Sequence, residues 1–194
     1  MIDQAHLLDE LLGIVNVPSG VWIDEAGVIV RPPETAYPRR PAFLDRQAPP
    51  DATPRQIAAT EAVRRLRIDA ETYVAALRDW VARGSASSYS LPPDEVIARS
   101  QPRSAAASQA AAHFELGQHL YRIGERDAAL PHWRASHRLD PTNWTYKRQA
   151  WSFVDAGQGP NNVYDGDWLS DVLASGPENY YPPLRMDPPA PPEQ

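Results

Sequence analysis

The sequence predicts an α+β chain in which helices dominate and one β-hairpin supplies the sheet. Three observations carry this. Residues 20–31 hold two short apolar runs, Gly20–Asp24 and Val28–Arg31, flanking a turn that contains Gly27. Residues 69–84 place Tyr73, Val74, Leu77, Trp80 and Val81 on one helix face. From Ser104 to about Ala156 the apolar spacing is helical throughout.

Taken in order, residues 3–12 are apolar at Ala5, Leu7, Leu8, Leu11 and Leu12, a short amphipathic helix that Gly13 would stop. Val28, Ile29 and Val30 are consecutive apolar residues, the pattern of a strand buried on both faces. Residues 31–54 are rich in proline and lack periodicity, which predicts an extended connection. A helix is expected over 51–66, with Thr53 as cap and Pro54 at the first helical position. The next spans 69–84, opened by Asp69 and closed by Arg83 and Gly84. Residues 85–103 read as a linker or the start of a short helical turn. The end, from about Pro177, is a proline-rich tail, expected to be extended.

The composition narrows the function classes. The chain has 194 residues, 21 prolines, no cysteine and a net charge of −6. Proline is at about twice its ordinary usage. The acidic balance argues against nucleic-acid binding, which calls for a basic face. Without cysteine there is no disulfide, no thiol nucleophile and no thiolate metal ligand. No apolar run approaches a membrane span, and the N-terminus lacks a basic-then-apolar leader. A cytoplasmic location is the expectation. Of the 19 lysines and arginines only Lys147 is a lysine; together with the many alanines and prolines this suggests a GC-rich bacterial genome.

Residues 110–143 resemble the tetratricopeptide (TPR) repeat of roughly 34 residues. With Gly117 on the first glycine of the pattern, Leu116 falls on its leucine and Gly124 on the inter-helix glycine. Ala129 then takes the small position of the second helix, Trp133 the aromatic, Leu139 the late apolar site and Pro141 the closing proline. Gly117 and Ala129 would be small where two antiparallel helices cross, with Trp133 filling the space beside them. His113, Leu120, Arg126 and Ser136 depart from the pattern. Pro131 would be tolerated near the fourth position of a helix capped by Asp127. Residues 143–157 could open a second, incomplete repeat. One repeat cannot bury its own face, so the pair must pack on another element, either the helix at 69–84 or the tail.

The opening stretch resembles the second half of a thioredoxin-fold domain of the ResA/TlpA redoxin type. Ile23, Asp24, Gly27 and Ile29 match the hairpin turn of that family, and Val17-Pro18 matches its cis-proline. The helix at 69–84 resembles its final helix. The resemblance implies that Val17, Pro18 and Ser19 are the remnant of a loop that, in the family, pairs with a thiol substrate. The family's Cys-x-x-Cys unit has no counterpart here, and without a thiolate no dithiol exchange can run.

The histidines His113/His119 and His132/His137 are not spaced as i, i+4 pairs. A metal site would need convergence across helices plus a carboxylate such as Glu115 or Asp127, and none is expected. No cofactor is expected. Arg134, Arg138, Lys147 and Arg148 form a basic cluster that a partner carboxylate could meet, or a solvated helix face. The aromatics Trp133, Trp144, Tyr146, Trp151, Trp168, Tyr180 and Tyr181 are expected to fill a helical core, with the tail clamped over it.

These readings divide the chain into a partial thioredoxin-like segment (1–84), a linker (85–103), a TPR-like region (104–157) and a tail (158–194). The expected function is a non-catalytic protein-interaction segment that meets a protein partner at the hairpin edge or a helical groove. Two alternatives stand beside it. One is a truncated thiol-disulfide oxidoreductase or peroxide reductase whose cysteine or selenocysteine lies upstream of Met1. The other is a TPR adaptor.

Overall fold

Prolines 32 and 33 stand inside a strand, not after one. In the computed structural model, which describes residues 6–100, 102–161 and 163–186, strand β1 (Ser19–Ile23) pairs antiparallel with β2 (Ile29–Thr35). Ser19 faces Thr35, Gly20 faces Glu34, Trp22 faces Arg31 and Ile23 faces Ile29. The register slips between Gly20 and Trp22, opposite the two prolines. Proline has no N–H to donate, so it fits a strand only at an edge or an irregularity, and a two-stranded sheet offers both. The strand expected to end at Arg31 therefore runs on to Thr35. Val28 is half exposed (52%), which corrects the expectation of a strand buried on both faces: this sheet has no third strand among the described residues.

The turn is set by Asp24. Its Oδ1 accepts the amides of Ala26 and Val28 at 2.9 Å each, and its own N–H donates to the Val28 carbonyl. Gly27 takes φ 80°, which a side chain would resist.

The chain divides into two compact units that are not contiguous in sequence. One holds residues 17–101 and 177–194, the other 1–16 and 102–176. The contiguous segments expected from sequence do not follow these boundaries. The N-terminal helix groups with the helical region, and the residues after Gly176 group with the hairpin.

In the hairpin unit, α2 (Pro54–Arg64) starts at a reciprocal cap: the Gln56 amide donates to Thr53 Oγ1, and the Thr53 amide donates to Gln56 Oε1. α3 (Ala70–Arg83) is capped by Asp69, whose Oδ1 accepts from Thr72. α3 lays Tyr73, Ala76 and Trp80 against Trp22 of β1. Trp22 stacks on Trp80 at 5.0 Å and meets Tyr73 edge-on, donating from Nε1 to the Tyr73 hydroxyl at 3.3 Å. Val81, placed on this face from sequence, is 74% exposed; the packed line runs through 73, 77 and 80, and 81 lies beside it. The expected linker holds a further helix, α4 (Pro93–Arg99).

From Pro177 to Met186 the tail is a structural member of this unit; its earlier part, which holds a helix at Trp168–Ser175, belongs to the other. Met186 is buried with Trp22, Tyr73 and Ala76, and Leu184 packs against them. Tyr181 bonds the Tyr37 hydroxyl at 2.6 Å. Tyr180 and Tyr181 are both buried, and they group with the hairpin unit. The remaining tail residues, 187–194, lie outside the described residues.

The helical unit is built on α5 (Ala105–Arg122) and α6 (Arg126–Leu139), joined at Gly124 with φ 94°. α7 (Trp144–Val154) follows, capped by Asn143, and α8 (Trp168–Ser175) is capped by Asp167. α6 starts at Arg126, with Glu125 at the N-cap position, so Pro131 is its sixth residue, not its fourth. One intrahelical bond, to the Asp127 carbonyl, is lost there. The short α1 (Leu7–Leu12) belongs to this unit. The Val15 carbonyl after it accepts the amides of Trp144 and Thr145, and Arg103 pairs with Glu10 at 2.7 Å.

Candidate functional site

The residues singled out by the helical-repeat resemblance fall into two groups. Gly117 sits where α5 touches α6. A Cβ there would lie 2.6 Å from Trp133 Cδ1 and Nε1. Ala129 and Trp133 are fully buried. Gly124 makes the inter-helix turn. Leu116, by contrast, is 42% exposed; Leu139 is half-buried and Pro141 exposed.

The loop residues Val17, Pro18 and Ser19 lead into β1. The Val17–Pro18 peptide is cis. The Pro18 carbonyl accepts from the Ala36 amide at 3.1 Å, and the Val17 carbonyl accepts from the Tyr181 hydroxyl at 3.4 Å. The chain's own tail therefore meets the backbone of this loop.

Two members of the basic cluster are paired with carboxylates, while Arg138 is exposed. Arg134 forms a two-point pair with Asp165, which holds that carboxyl below its usual range, and Lys147 pairs with Asp171 at 2.9 Å. Arg148 reaches Gln158 at 3.4 Å.

The histidines do what their spacing hid. His113 of α5 and His132 of α6 face each other, Nδ1 to Nδ1 at 2.9 Å. His137 is enclosed beside Tyr164, whose hydroxyl lies 2.8 Å from His137 Nδ1. Burial, reinforced by the Lys147 charge, pulls His137 down from 6.5 to about 3, so the ring is neutral and accepts the hydroxyl proton. Burial raises the Tyr164 phenol, and the Tyr146 phenol is pushed up to about 12 by burial and by Glu10 and Asp9. These groups are fixed in one protonation state around neutral pH, which suits structure and not proton transfer. No group of three or more metal-ligating His, Cys, Asp or Glu side chains occurs among the described residues; Glu115 and Asp127 do not join the histidines.

The open surface lies on the hairpin. Two adjoining depressions, of about 470 and 540 Å³, flank β2 and share Asp24, Val30, Ser85 and Ser90. The first is floored by Ile23, Val30, Trp80 and Val81, the second by Val28, Leu91, Val96 and Ile97. Ile23 (50%), Val28, Val81 and Ile97 (67%) are large apolar side chains left to solvent around one channel. Scattered apolar exposure is ordinary; a contiguous set rimmed by polar groups marks a contact site.

The channel walls are fixed from below. Leu91 donates its amide to the Val30 carbonyl at 3.0 Å, which pins the segment before α4 to the outer edge of β2. Asp79 accepts from Ser87 Oγ and pairs with Arg83, anchoring the turn that carries Ser85; both bonds hold the Asp79 carboxyl below its usual range.

The channel's charges are of one sign. Asp24 and Glu25 are the charged residues lining it. The nearby cations are spent: Arg83 on Asp79, Arg99 on Glu95, and Arg31 on Glu34. The sequence pointed to the hairpin but not to this channel, because Val81, Ser85 and Ile97 reach it from an expected core face and an expected linker.

No protein-family model matches the chain, and no curated protein or solved structure does either.

Proposed function

We propose that this chain is a protein-interaction segment whose hairpin unit seats an extended apolar stretch of a partner protein, with a lysine or arginine of that stretch at Asp24 and Glu25. One observation carries the reading: a channel floored by Ile23, Val28, Val81 and Ile97 has carboxylates at its mouth and no unspent cation among its lining residues. Apolar floor gives affinity, and the acidic mouth gives orientation and selects against acidic partners. A cysteine-free chain brings no thiolate of its own to such a partner. The resemblance of residues 14–31 to a redoxin hairpin, and of 110–143 to a TPR helix pair, supports placing this segment in a redoxin-like protein that acts by binding.

The test uses the full chain and a heptapeptide of alternating Val and Thr with one terminal Lys, titrated with methyl NMR. The Lys peptide is expected to shift the methyls of Ile23, Val28, Val81 and Ile97, and a Glu-terminated peptide to bind at least about ten-fold more weakly. Asp24→Asn with Glu25→Gln should erase that preference, and Val81→Asp should abolish binding. Equal affinity for the two peptides, or shifts elsewhere on the chain, would overturn the reading. So would concentration-dependent dimerisation through the same methyls, because the occupant would then be a second copy.

A further inference from the structure

We propose that the partner stretch seated in the channel is read through its backbone: one of its residues bridges to Ile29 and extends the sheet as a short third strand. The bridge rests on the channel's role as a partner site. It defines the class of occupant as an extended segment with a free amide at one fixed position, and it excludes a helix or a stretch with proline there.

The hairpin leaves the Ile29 backbone unused. The Asp24 amide donates to the Val28 carbonyl at 2.9 Å, and Ile23 faces Ile29. Opposed residues of an antiparallel pair alternate between exchanging both bonds and exchanging neither. Asp24 and Val28 take the bonded position, so Ile23 and Ile29 take the unbonded one. The Ile29 N–H and C=O therefore point away from β1, to the outer side of β2. The next step of the register, from Ile23–Ile29 to Trp22–Arg31, passes over Val30. A residue passed over in this way is a bulge, free to turn its carbonyl outward, and the Leu91 amide takes that carbonyl at 3.0 Å. Pro92 and Pro93 follow Leu91 and carry no N–H, so the covering segment has no second bond to give. No group among the described residues bonds the Ile29 backbone.

This pair of groups borders the channel. Ile29 lines the second depression together with Val28, Leu91 and Ile97. An unpaired strand edge beside an apolar groove is the geometry of strand addition, in which main-chain bonds fix the register and the groove takes alternate side chains. A helical occupant has its amides spent internally and has none to offer the Ile29 carbonyl, and proline lacks the amide altogether. Asp24 and Glu25 then fit a cation at one end of the added stretch.

The experiment is an ester scan of the Lys-terminated Val/Thr heptapeptide on the full chain. Each variant replaces one backbone amide by an ester, which removes one N–H with little change of shape, and the terminal Lys holds the register at Asp24 and Glu25. One linkage is expected to lose about ten-fold in affinity, and linkages beyond its immediate neighbours to stay within about two-fold. On the protein, the Ile29 amide should exchange its hydrogen freely in the unliganded chain and at least about ten-fold more slowly at saturation, while the Leu91 amide is protected in both states. A flat scan, or unchanged Ile29 exchange at saturation, with the Ile23, Val28, Val81 and Ile97 methyls still shifting, would overturn the bridge and leave channel binding standing. Absence of binding by the all-amide peptide would overturn both.

Discussion

The Tyr164 hydroxyl and the Nδ1 of His137 lie 2.8 Å apart in the enclosed interior of the helical unit. Tyr164 is 3% exposed, and its raised phenol makes it the donor. His137 must accept, so the bond exists only while the ring is neutral. The Tyr146 backbone also bonds the ring, and Lys147 supplies the nearby positive charge that further disfavours a second proton.

This bond makes the helical unit sensitive to acid. An unfolded histidine takes up its proton near 6.5, while the folded His137 resists until about 3. Between those values the unfolded state binds more protons, so stability falls as pH falls, by up to about 1.4 kcal/mol per pH unit. Above 6.5 both states are neutral and the contribution is constant. Urea unfolding of the wild type and of His137→Asn, from pH 7 to pH 3.5, checks this. Asparagine keeps an acceptor and does not titrate, so the difference between the two curves should close as pH drops. Parallel curves would mean that His137 is not the group.

The Arg31–Glu34 pair should behave as a buried ion pair whose partners cannot be removed singly. Arg31 is fully buried and Glu34 is 8% exposed, with Nη1 and Oε1 3.3 Å apart. Burial pulls the guanidinium below its ordinary value, and Glu34 opposes that. Arg31 also donates to the carbonyls of Tyr89 and Arg185, and Glu34 Oε2 accepts the Arg185 amide. Glu34→Ala should cost about 3–5 kcal/mol by denaturant unfolding, because it strands a buried cation. Arg31→Met with Glu34→Leu should cost less than the single change. A loss under about 0.5 kcal/mol for Glu34→Ala would show that the pair is solvated.

Gly117→Ala sets two magnitudes against each other. Alanine in a helix interior gains about 1 kcal/mol over glycine. Against that, the new Cβ would meet the Trp133 ring at 2.6 Å, and overpacking costs about 1–3 kcal/mol. The ring atoms belong to a fully buried tryptophan stacked on Phe153, so it cannot swing aside and the clash wins. Net destabilisation of about 1–2 kcal/mol is expected. In a Trp133→Leu background the same change should become neutral or stabilising, a coupling that a double-mutant cycle measures directly.

Much of the local structure was written in short-range signals. Thr53-Pro54 and Asp69 named two helix starts, Asp24 with Gly27 named the hairpin turn, and Gly117 with Trp133 named the close crossing. Each depends on residues one or two turns apart, or on a size match that only one geometry explains. Other features depend on contacts that no local pattern encodes. Pro32 and Pro33 read as loop because the irregular register that accommodates them is set by β1. His113 and His132 looked unrelated because their meeting follows from how two helices dock. Arg31 and Arg185 are 154 residues apart, and a proline-rich tail gives no periodicity by which its anchor residues could be found. The channel combined both failures: two of its walls came from stretches read as core and as linker.

The tail offers the sharpest check on that long-range order. Met186 is 3% exposed and packs beside Trp22 and Tyr73. The Arg185 carbonyl accepts from Arg31 at 2.9 Å and from Arg99 at 3.1 Å. Met186→Ala removes only side-chain packing and should cost about 2–5 kcal/mol. Truncation after Tyr181 removes the same packing and also strips Arg31 and Arg99 of their shared acceptor and Glu34 of its donor. A buried charge deprived of partners costs more than a cavity of equal size. The truncated chain should therefore be less stable than Met186→Ala, with faster hydrogen exchange at the Leu91 amide, whose bond to Val30 lies next to Arg31 on β2. Equal stability of the two proteins would mean that the tail contributes through Met186 alone and that the charged anchor is incidental.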